Sequence, residues 1–297
     1  MFKLFLLLNI IFFISTLPVA IFHGFFDSCD NSYFSSLVNL IKYNLGDYSV
    51  CIETGGGSDS LSLSFQEQAE KACEEIKKNE KFNGDFSILS ISQGGLLARY
   101  IIQKCEMKGR VKKLVSFGGP MMGTSKVPFC LEGVVCYIIN SLVDYFVYSK
   151  NIQKSVGPAG YYRTAAHIKD YQNSKSFLYQ LNNEGNYYDE KSKEKFKQLE
   201  SLVLIGFKKD KMISPKETAE FCEYDENFNL VPMNRTNVYV NDLFGLKSLD
   251  EKHAIHVHYL DGEHIEFDFD DVLKYAIPYL WLLLFNRFDY INIYNDK

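Results

Sequence analysis

FSILSISQGGLLARYI, at residues 86–101, indicates a buried strand that turns at once into a helix. The turn carries Ser90 and Ser92, followed by two glycines at positions 94 and 95. A strand, a tight turn and a helix are the context that a G-x-S-x-G nucleophile elbow requires, because the strained turn exposes the serine hydroxyl at the strand end. Ser90 stands where that motif has its first glycine, so an ordinary helix N-cap at Ser92 is the alternative interpretation.

Short apolar runs alternate with helical patterns on both sides of this stretch. Such an alternation predicts βαβ units, and therefore an α/β fold with a mainly parallel sheet flanked by helices. The expected strands are 18–24, 48–53, 86–92, 111–119, 199–207 and 253–260, and the expected helices are 34–43, 65–78, 94–105 and 271–285.

The interval of about 120–199 interrupts this alternation and is mostly helical. A long insertion between two sheet strands is typical of a cap over an active site, within one domain spanning residues 17–297. Residues 134–148, VVCYIINSLVDYFVY, are apolar almost all the way round a helix. A helix of this kind is buried or lines an apolar cavity, and a core helix remains the alternative.

Two residues downstream of the insertion complete a candidate catalytic triad with Ser92. Asp210 follows the fifth expected strand and His264 follows the sixth, which gives the order serine, acid, histidine of the α/β-hydrolase fold. His264 would take the proton of Ser92, and Asp210 would orient the imidazole. Asp261 and Glu263 flank His264, but turn acids so close in sequence rarely orient the ring, so Asp210 is preferred.

An oxyanion hole requires two backbone N–H donors near the serine. Gln93, the residue after Ser92, supplies one of them. The His23-Gly24 pair follows the first expected strand, and the N–H of Phe25 is the second candidate. His23 itself is expected to shape the loop and not to act as the base.

The other histidines raise the question of a metal site. His256 and His258 alternate along a strand and share one face, where Asp261 or His264 could join them as ligands. Two strand histidines are more often ordinary polar positions. We therefore expect no metal and no cofactor.

The net charge and two apolar runs bear on nucleic-acid binding, secretion and membrane insertion. The chain has 297 residues and a net charge of −5 without a Lys/Arg cluster, which argues against nucleic acid as a partner. Residues 1–16 resemble a secretory signal peptide, although a buried first strand is the alternative. Neither this run nor the apolar run at 277–285, interpreted as a core helix, is long enough to predict a stable membrane span.

Seven cysteines fit an oxidising compartment, with at least one left unpaired. Cys130 and Cys136 have a spacing that suits a small disulfide loop. Asn234 begins an Asn-Arg-Thr sequon and is the candidate glycosylation site.

Taken together, these segments make the chain resemble the palmitoyl-protein thioesterases. The matching segments occur in the family's order and cover roughly residues 17–285, a consistency that no single motif gives. They are IFHGFFDSC, SISQGGLLARY, LVSFGGPMMG, VPFCLEGVVC, YYRTAAHIKDYQNSKSFLYQLNNE, IGFKKDKMISP, DLFGLKSLDE and LDGEHIEF.

The resemblance implies a serine hydrolase that removes long-chain fatty acyl groups from S-acylated cysteines of proteins or peptides, in the lysosome or after secretion. It implies catalytic roles for Ser92, Asp210 and His264, and oxyanion donation by Phe25 and Gln93. It also implies disulfides of Cys73 with Cys105 and of Cys130 with Cys136, and it leaves open the state of Cys29, Cys51 and Cys222.

Three other functions remain open at this point. An oxygen-ester lipase would use the same triad. A catalytically silent lipid-binding protein would keep the fold without the geometry. A binding module without a site is the third, and the complete triad argues against it.

Overall fold

A six-stranded parallel sheet forms the centre of the protein, which confirms the expected fold class and all six expected strands. The computed structural model describes residues 15–127 and 133–282. In chain order the strands are β1 (Ser15–Thr16), β2 (Val19–Phe22), β3 (Ser49–Ile52), β4 (Phe86–Ile91), β5 (Val111–Phe117), β6 (Ser201–Phe207), β7 (Glu223–Tyr224), β8 (Leu230–Val231), β9 (Ile255–Leu260) and β10 (Trp281–Leu282).

Helices cover both faces of this sheet and fill the long interval between β5 and β6. They are α1 (Ser32–Leu45), α2 (Asp59–Ser62), α3 (Phe65–Lys78), α4 (Gly94–Gln103), α5 (Val134–Phe146), α6 (Lys150–Ser155), α7 (Ile168–Asn173), α8 (Phe177–Leu181), α9 (Glu190–Phe196), α10 (Asn237–Val240), α11 (Leu246–Glu251), α12 (Phe269–Tyr275) and α13 (Ile277–Leu280). Short 3₁₀ turns occur at Glu80–Phe82, Gly157–Tyr161, Gly185–Tyr187, Lys216–Glu220 and Met233–Arg235.

The strand order is β3-β2-β4-β5-β6-β9, and every neighbouring pair in this sheet is parallel. The chain leaves β2 towards one edge and then crosses back to place β4 on the other side of β2. Strand order therefore reverses between β2 and β4, and open α/β sheets bind ligands outside the carboxyl ends of strands at such a point. The predicted nucleophile follows β4 and the predicted oxyanion loop follows β2.

Alternating side chains of the central strands divide the core into two layers. Ala20 and Phe22 of β2 pack on the face covered by α3 and α4. Val19 and Ile21 pack on the opposite face, against α1, α12 and α13. Because successive strand side chains point to opposite faces, a strand buried on both faces has a continuous apolar sequence. For this reason β2, β4 and β6 could be recognised as runs without alternation.

A buried arginine anchors α4, the helix behind the predicted nucleophile. Arg99 is fully buried and donates to the carbonyl of Met121 at 2.6 Å and to the side-chain oxygen of Asn182 at 3.1 Å. Its guanidinium carbon lies 4.4 Å from the ring centre of Phe244 and 5.2 Å from that of Phe221. Burial lowers the pKa of Arg99 to about 9, which still leaves the group charged at neutral pH.

The single closing helix expected at 271–285 is wrong in its extent. Helix α12 ends at Tyr275, α13 covers only Ile277–Leu280, and β10 then pairs antiparallel with β1. Pro278 explains the break, because proline has no N–H for a helical hydrogen bond and its ring clashes with the preceding turn. It sits in the first turn of α13, where proline is tolerated. In the described part of the chain no helix is long and apolar enough to cross a membrane.

Candidate active site

Ser92 lies in the tight turn between β4 and α4, in a strained backbone conformation. Its φ angle is 51°, in the left-handed region that side chains rarely adopt. The Ser92 N–H donates to the carbonyl of Phe117 at 2.8 Å, which fixes the turn to the neighbouring strand. Ser90, in place of the motif's first glycine, is buried and donates its hydroxyl to the carbonyl of Val115 at 3.3 Å. Serine is tolerated there because its polar atom has a partner.

Ser92, His264 and Asp210 lie in one hydrogen-bonded line, although they are far apart in sequence. Ser92 Oγ is 2.9 Å from His264 Nε2, and His264 Nδ1 is 2.6 Å from Asp210 Oδ2. The side chains of His264 and Asp210 are each only 4 % exposed. Since β4, β6 and β9 belong to one parallel sheet, their carboxyl ends meet at the same edge and bring the three residues together.

The carboxylate of Asp210 is held by its own turn. Its Oδ1 atom accepts from the N–H groups of Met212 at 2.8 Å and Ile213 at 3.1 Å. Oδ2 therefore remains for His264, and an ionised acceptor at Nδ1 requires the imidazole to carry its hydrogen there. In that tautomer Nε2 is free to accept the hydrogen of the Ser92 hydroxyl.

The alternative acid Asp261 and the two strand histidines, His256 and His258, have contacts of their own. Asp261 is exposed, with its carboxylate 3.7 Å from the ammonium of Lys209. His258 Nε2 lies 2.9 Å from the hydroxyl of Tyr279, in a hydrogen bond. The ring centres of His256 and Tyr279 are 4.8 Å apart. The structure therefore places these two histidines in an aromatic cluster with Tyr279.

The loop that carries Phe25 lies directly beside Ser92. Phe22 pairs with Ser90 in the sheet, so the residues after both strands approach each other. A Cβ atom added to Gly24 would lie only 3.3 Å from Ser92 Cβ. Within the described residues, no hydrogen bond to a protein acceptor is found for the N–H groups of Phe25 and Gln93, and their role as oxyanion donors stays a prediction.

The side chain of Gln93 holds its own backbone N–H, the other predicted oxyanion donor, in place. Its amide donates to Gln68 at 3.3 Å and accepts the hydroxyl of Tyr161 at 3.2 Å. Gln68 in turn donates to the carbonyls of Ser60 and Leu63, each at 3.0 Å. These buried contacts fix Gln93 relative to α3 and to the turn at Gly157–Tyr161.

A cavity of about 780 Å³ opens next to Ser92 and His264. Its walls are almost entirely apolar, and residues of the inserted segment form most of them. Ligand pockets usually measure about 300–1,000 Å³ and combine apolar walls with a few polar groups, as this cavity does. The inserted segment contributes Val127, Leu142, Val143, Phe146, Val147, Ile152, Val156, Pro158, Ala159 and Tyr162.

Helix α5 has one face on this cavity and the other in solvent. Leu142, Val143 and Phe146 line the cavity, whereas Val134 is 77 % exposed and Tyr137 is 75 % exposed. Leu142 and Phe146 are themselves 56 % and 54 % exposed, so α5 lines an apolar cavity, as expected, and the alternative of a core helix is wrong. Sequence pattern could not indicate this, because burial depends on what packs against each face.

Two disulfides lie close to the elements that carry the site. Cys73, within α3, is bonded to Cys105 after α4, with Cα atoms 5.7 Å apart. A second disulfide joins Cys29 to Cys51, whose pairing the sequence had left open, with Cα atoms 5.6 Å apart. The predicted partner pair of Cys130 and Cys136 lies outside what the structure describes, since residue 130 and the side chain of residue 136 are not described.

Among the described cysteines, Cys222 is free and buried, and burial raises the pKa of its thiol to about 12. A thiol in that state is not a reactive nucleophile at neutral pH. Asn234 of the sequon is exposed, and Thr236 caps helix α10 by accepting from the N–H of Tyr239.

His23, Cys29 and Glu53 form a cluster of potential metal ligands, with their ligand atoms within 4.8 Å of one another. The Cys29 sulfur is bonded to Cys51, so it cannot act as a thiolate ligand. His23 already contacts Gly24 and Glu53 through its two ring nitrogens. The residues present therefore do not fit a metal ion.

Glu53 is the one residue of this neighbourhood that sequence reasoning missed. It follows β3, and its carboxylate contacts both His23 and the N–H of Cys29, at either end of the loop that carries Phe25. One feature of the sequence could have pointed to Glu53: it is a charged residue at the carboxyl end of an expected buried strand, next to the reversal in strand order.

Comparison with known proteins gives consistent results. A family model described as palmitoyl protein thioesterase matches residues 18–264. Palmitoyl-protein thioesterase 1 of Caenorhabditis elegans is 29 % identical over 259 residues, which covers 84 % of this chain and 86 % of that protein. Lysosomal thioesterase PPT2-B of Xenopus laevis is 29 % identical over 255 residues, with 84 % and 86 % covered. A monoacylglycerol lipase structure from Paleococcus ferrophilus covers 90 % of this chain and 96 % of its own, at 10 % identity and a TM-score of 0.48.

Proposed function

The chain belongs to the palmitoyl protein thioesterase family, and from this premise we propose that it hydrolyses long-chain acyl thioesters through an acyl-enzyme on Ser92. The observation that carries the proposal is the direct connection of the Ser92–His264–Asp210 line with a large apolar cavity. A reactive serine in the wall of a mostly apolar cavity suits a substrate whose carbonyl ends a long hydrocarbon chain.

The first half of the reaction forms the acyl-enzyme. His264 Nε2 takes the Ser92 proton as Oγ attacks the thioester carbonyl, and Asp210 stabilises the imidazolium that results. The N–H groups of Phe25 and Gln93 stabilise the negative charge that develops on the carbonyl oxygen. The carbon–sulfur bond then breaks, and the imidazolium donates its proton to the departing thiolate.

The second half releases the fatty acid. Water attacks the acyl group on Ser92 while His264 takes a proton from it, and the same donors hold the second tetrahedral intermediate. The bond between the acyl carbon and Ser92 Oγ then breaks, and the imidazolium returns its proton to Oγ. A cysteine thiol has a pKa of about 8.5, so the leaving group needs little help from a general acid. The apolar cavity keeps the hydrocarbon chain out of water during both steps.

The substrates we propose are S-acylated proteins or peptides carrying a long-chain acyl group, because the Caenorhabditis elegans relative is named a palmitoyl-protein thioesterase. The proposed compartment is the lysosome, or the outside of the cell after secretion. Support comes from the Xenopus relative named a lysosomal thioesterase, from the disulfides and from the signal-like residues 1–16.

An active-site probe together with matched substrates tests this function. A fluorophosphonate should label the wild-type protein and fail to label Ser92→Ala. The wild-type protein should hydrolyse a palmitoyl thioester and prefer it to a glyceride of the same acyl chain. Preference for the glyceride would indicate an oxygen-ester lipase, and absence of labelling would indicate a silent lipid-binding protein.

A further inference from the structure

A contact with the His23 ring fixes the orientation of the peptide group between Gly24 and Phe25. His23 is fully buried, and its Nδ1 lies 2.9 Å from the carbonyl oxygen of Gly24. A carbonyl oxygen only accepts, so Nδ1 must carry a hydrogen. Because the peptide group is planar and trans, fixing the Gly24 carbonyl on one side fixes the Phe25 N–H on the other.

Glu53 holds the other side of the His23 ring. Its Oε1 lies 3.1 Å from His23 Nε2 and accepts the N–H of Gly55 at 2.9 Å, and its Oε2 accepts the N–H of Cys29 at 3.0 Å. Burial alone would raise the pKa of Glu53, but the N–H groups of Cys29 and Gly55 and the contact with His23 outweigh it and lower the pKa. Each oxygen of the carboxylate thus accepts a charge-assisted hydrogen bond from a backbone N–H, Oε1 from Gly55 and Oε2 from Cys29.

One carboxylate therefore ties both ends of the loop from His23 to Cys29. The loop is also held by a hydrogen bond from the Phe26 N–H to Ser60 Oγ at 2.9 Å. The disulfide of Cys29 with Cys51 adds a covalent link to β3, the strand that ends just before Glu53. Phe26 has a φ of 61°, a strained conformation that only a well-held loop maintains.

We propose that Glu53 is a positioning residue for catalysis, which acts through His23 to aim the Phe25 N–H at the oxyanion, with the Cys29–Cys51 disulfide as a second anchor of the same loop. The inference rests on the proposed function, because the aim of this N–H matters only if Ser92 forms a tetrahedral intermediate. Glu53 itself does not contact the reacting atoms.

Glu53→Gln is the informative variant, because it keeps the size of the side chain. A glutamine has one acceptor oxygen, so its NH₂ group must face the N–H of either Cys29 or Gly55, each of which now donates to a different carboxylate oxygen. We expect kcat on a palmitoyl thioester to fall by roughly tenfold to a hundredfold, less than the roughly 10²–10³ for complete removal of an oxyanion donor. KM should stay within about threefold, because the acyl cavity is untouched.

Inhibitor binding separates positioning from general loss of structure. A long-chain trifluoromethyl ketone forms an oxyanion on Ser92, whereas a long-chain alcohol only fills the cavity. In Glu53→Gln the inhibition constant of the ketone should rise in parallel with the loss of kcat, and the affinity for the alcohol should stay the same. Glu74→Gln, at an exposed glutamate paired with Lys77, is the matched control and should change neither.

Two further variants probe the same loop by other means. A Cβ on Gly56 would lie 2.6 Å from Ser28 Cβ and within 3.3 Å of both Glu53 oxygens, so Gly56→Ala should give the same pattern by steric displacement. Cys29→Ser combined with Cys51→Ser should lower kcat less than Glu53→Gln, because the Cys29 N–H still donates to Glu53.

Turnover by the wild-type protein tests the proposed function first, and the ratios between variants and wild type test the inference. An unchanged kcat in folded Glu53→Gln would overturn the inference. So would equal weakening of the ketone and the alcohol, or a larger kcat loss in the double cysteine variant than in Glu53→Gln.

Discussion

Asp210→Asn should abolish most turnover while leaving the fold intact. In the wild-type protein Oδ1 accepts from the Met212 and Ile213 N–H groups, and an asparagine oxygen can keep both bonds. Its NH₂ group must then face His264 Nδ1, which currently lies 2.6 Å from Oδ2. A donor at that position requires Nδ1 to be the acceptor, so the ring hydrogen moves to Nε2 and the ring can no longer take the proton of Ser92.

We expect this change of tautomer to lower kcat by about 10⁴, the magnitude found when the triad acid of a serine hydrolase is replaced by its amide. The assay is steady-state hydrolysis of a palmitoyl thioester, with thermal unfolding measured alongside. Asp261→Asn is the control, because Asp261 is exposed and its carboxylate lies 3.7 Å from the ammonium of Lys209. A loss below tenfold in Asp210→Asn, or an equal loss in Asp261→Asn, would refute the assignment of the acid.

Three other predictions concern the cavity, a disulfide and the sequon. Palmitoyl is about eight methylenes longer than octanoyl, and each buried methylene contributes about 0.8 kcal/mol. If about half of them are buried, roughly 3 kcal/mol, kcat/KM should rise at least about 100-fold from octanoyl to palmitoyl thioesters below their micelle concentrations. Phe146→Asp in the cavity wall should flatten this series. A series that is flat in the wild-type protein would contradict a long acyl groove. Replacing both Cys73 and Cys105 by alanine should lower the free energy of unfolding by about 3–4 kcal/mol, given their separation of 32 residues; unchanged denaturation in urea, or free thiols at both positions in non-reducing peptide maps, would count against it. Asn234→Gln should remove a glycan detected by mass spectrometry. It should not cause the fall of about 1 kcal/mol in the free energy of unfolding that is expected when Thr236, the cap of α10, is replaced. An unchanged mass would show that Asn234 carries no glycan.

The residues of the candidate triad could be found from the sequence because each follows a recognisable strand. Apolar runs located β4, β6 and β9, and parallel strands place their carboxyl ends at one edge. Ser92, Asp210 and His264 therefore meet whatever the details of packing. Their catalytic roles stay predictions for the variants described above.

The rest depended on contacts that local patterns do not encode. Glu53 acts across two loops, and its partners His23 and Cys29 are known only once β2 and β3 lie side by side. The Cys29–Cys51 pair could not be identified because seven cysteines allow many connectivities. The two faces of α5 differ only in what packs against them, and the helix end at Tyr275 depended on Pro278.

Gly94, the second residue after Ser92, restricts how this active site can evolve. A Cβ at this position would lie 2.7 Å from the carbonyl oxygen of Phe22 and 2.8 Å from that of His23. Both obstacles are backbone atoms at the end of β2, so no side-chain rearrangement would make room. Any larger residue would push the turn that carries Ser92 away from the loop that carries Phe25. On the proposed mechanism, the Ser92 hydroxyl and the loop that stabilises the oxyanion are thus inherited as one unit, and either can be adjusted only through neighbours such as Glu53 that lie outside this contact.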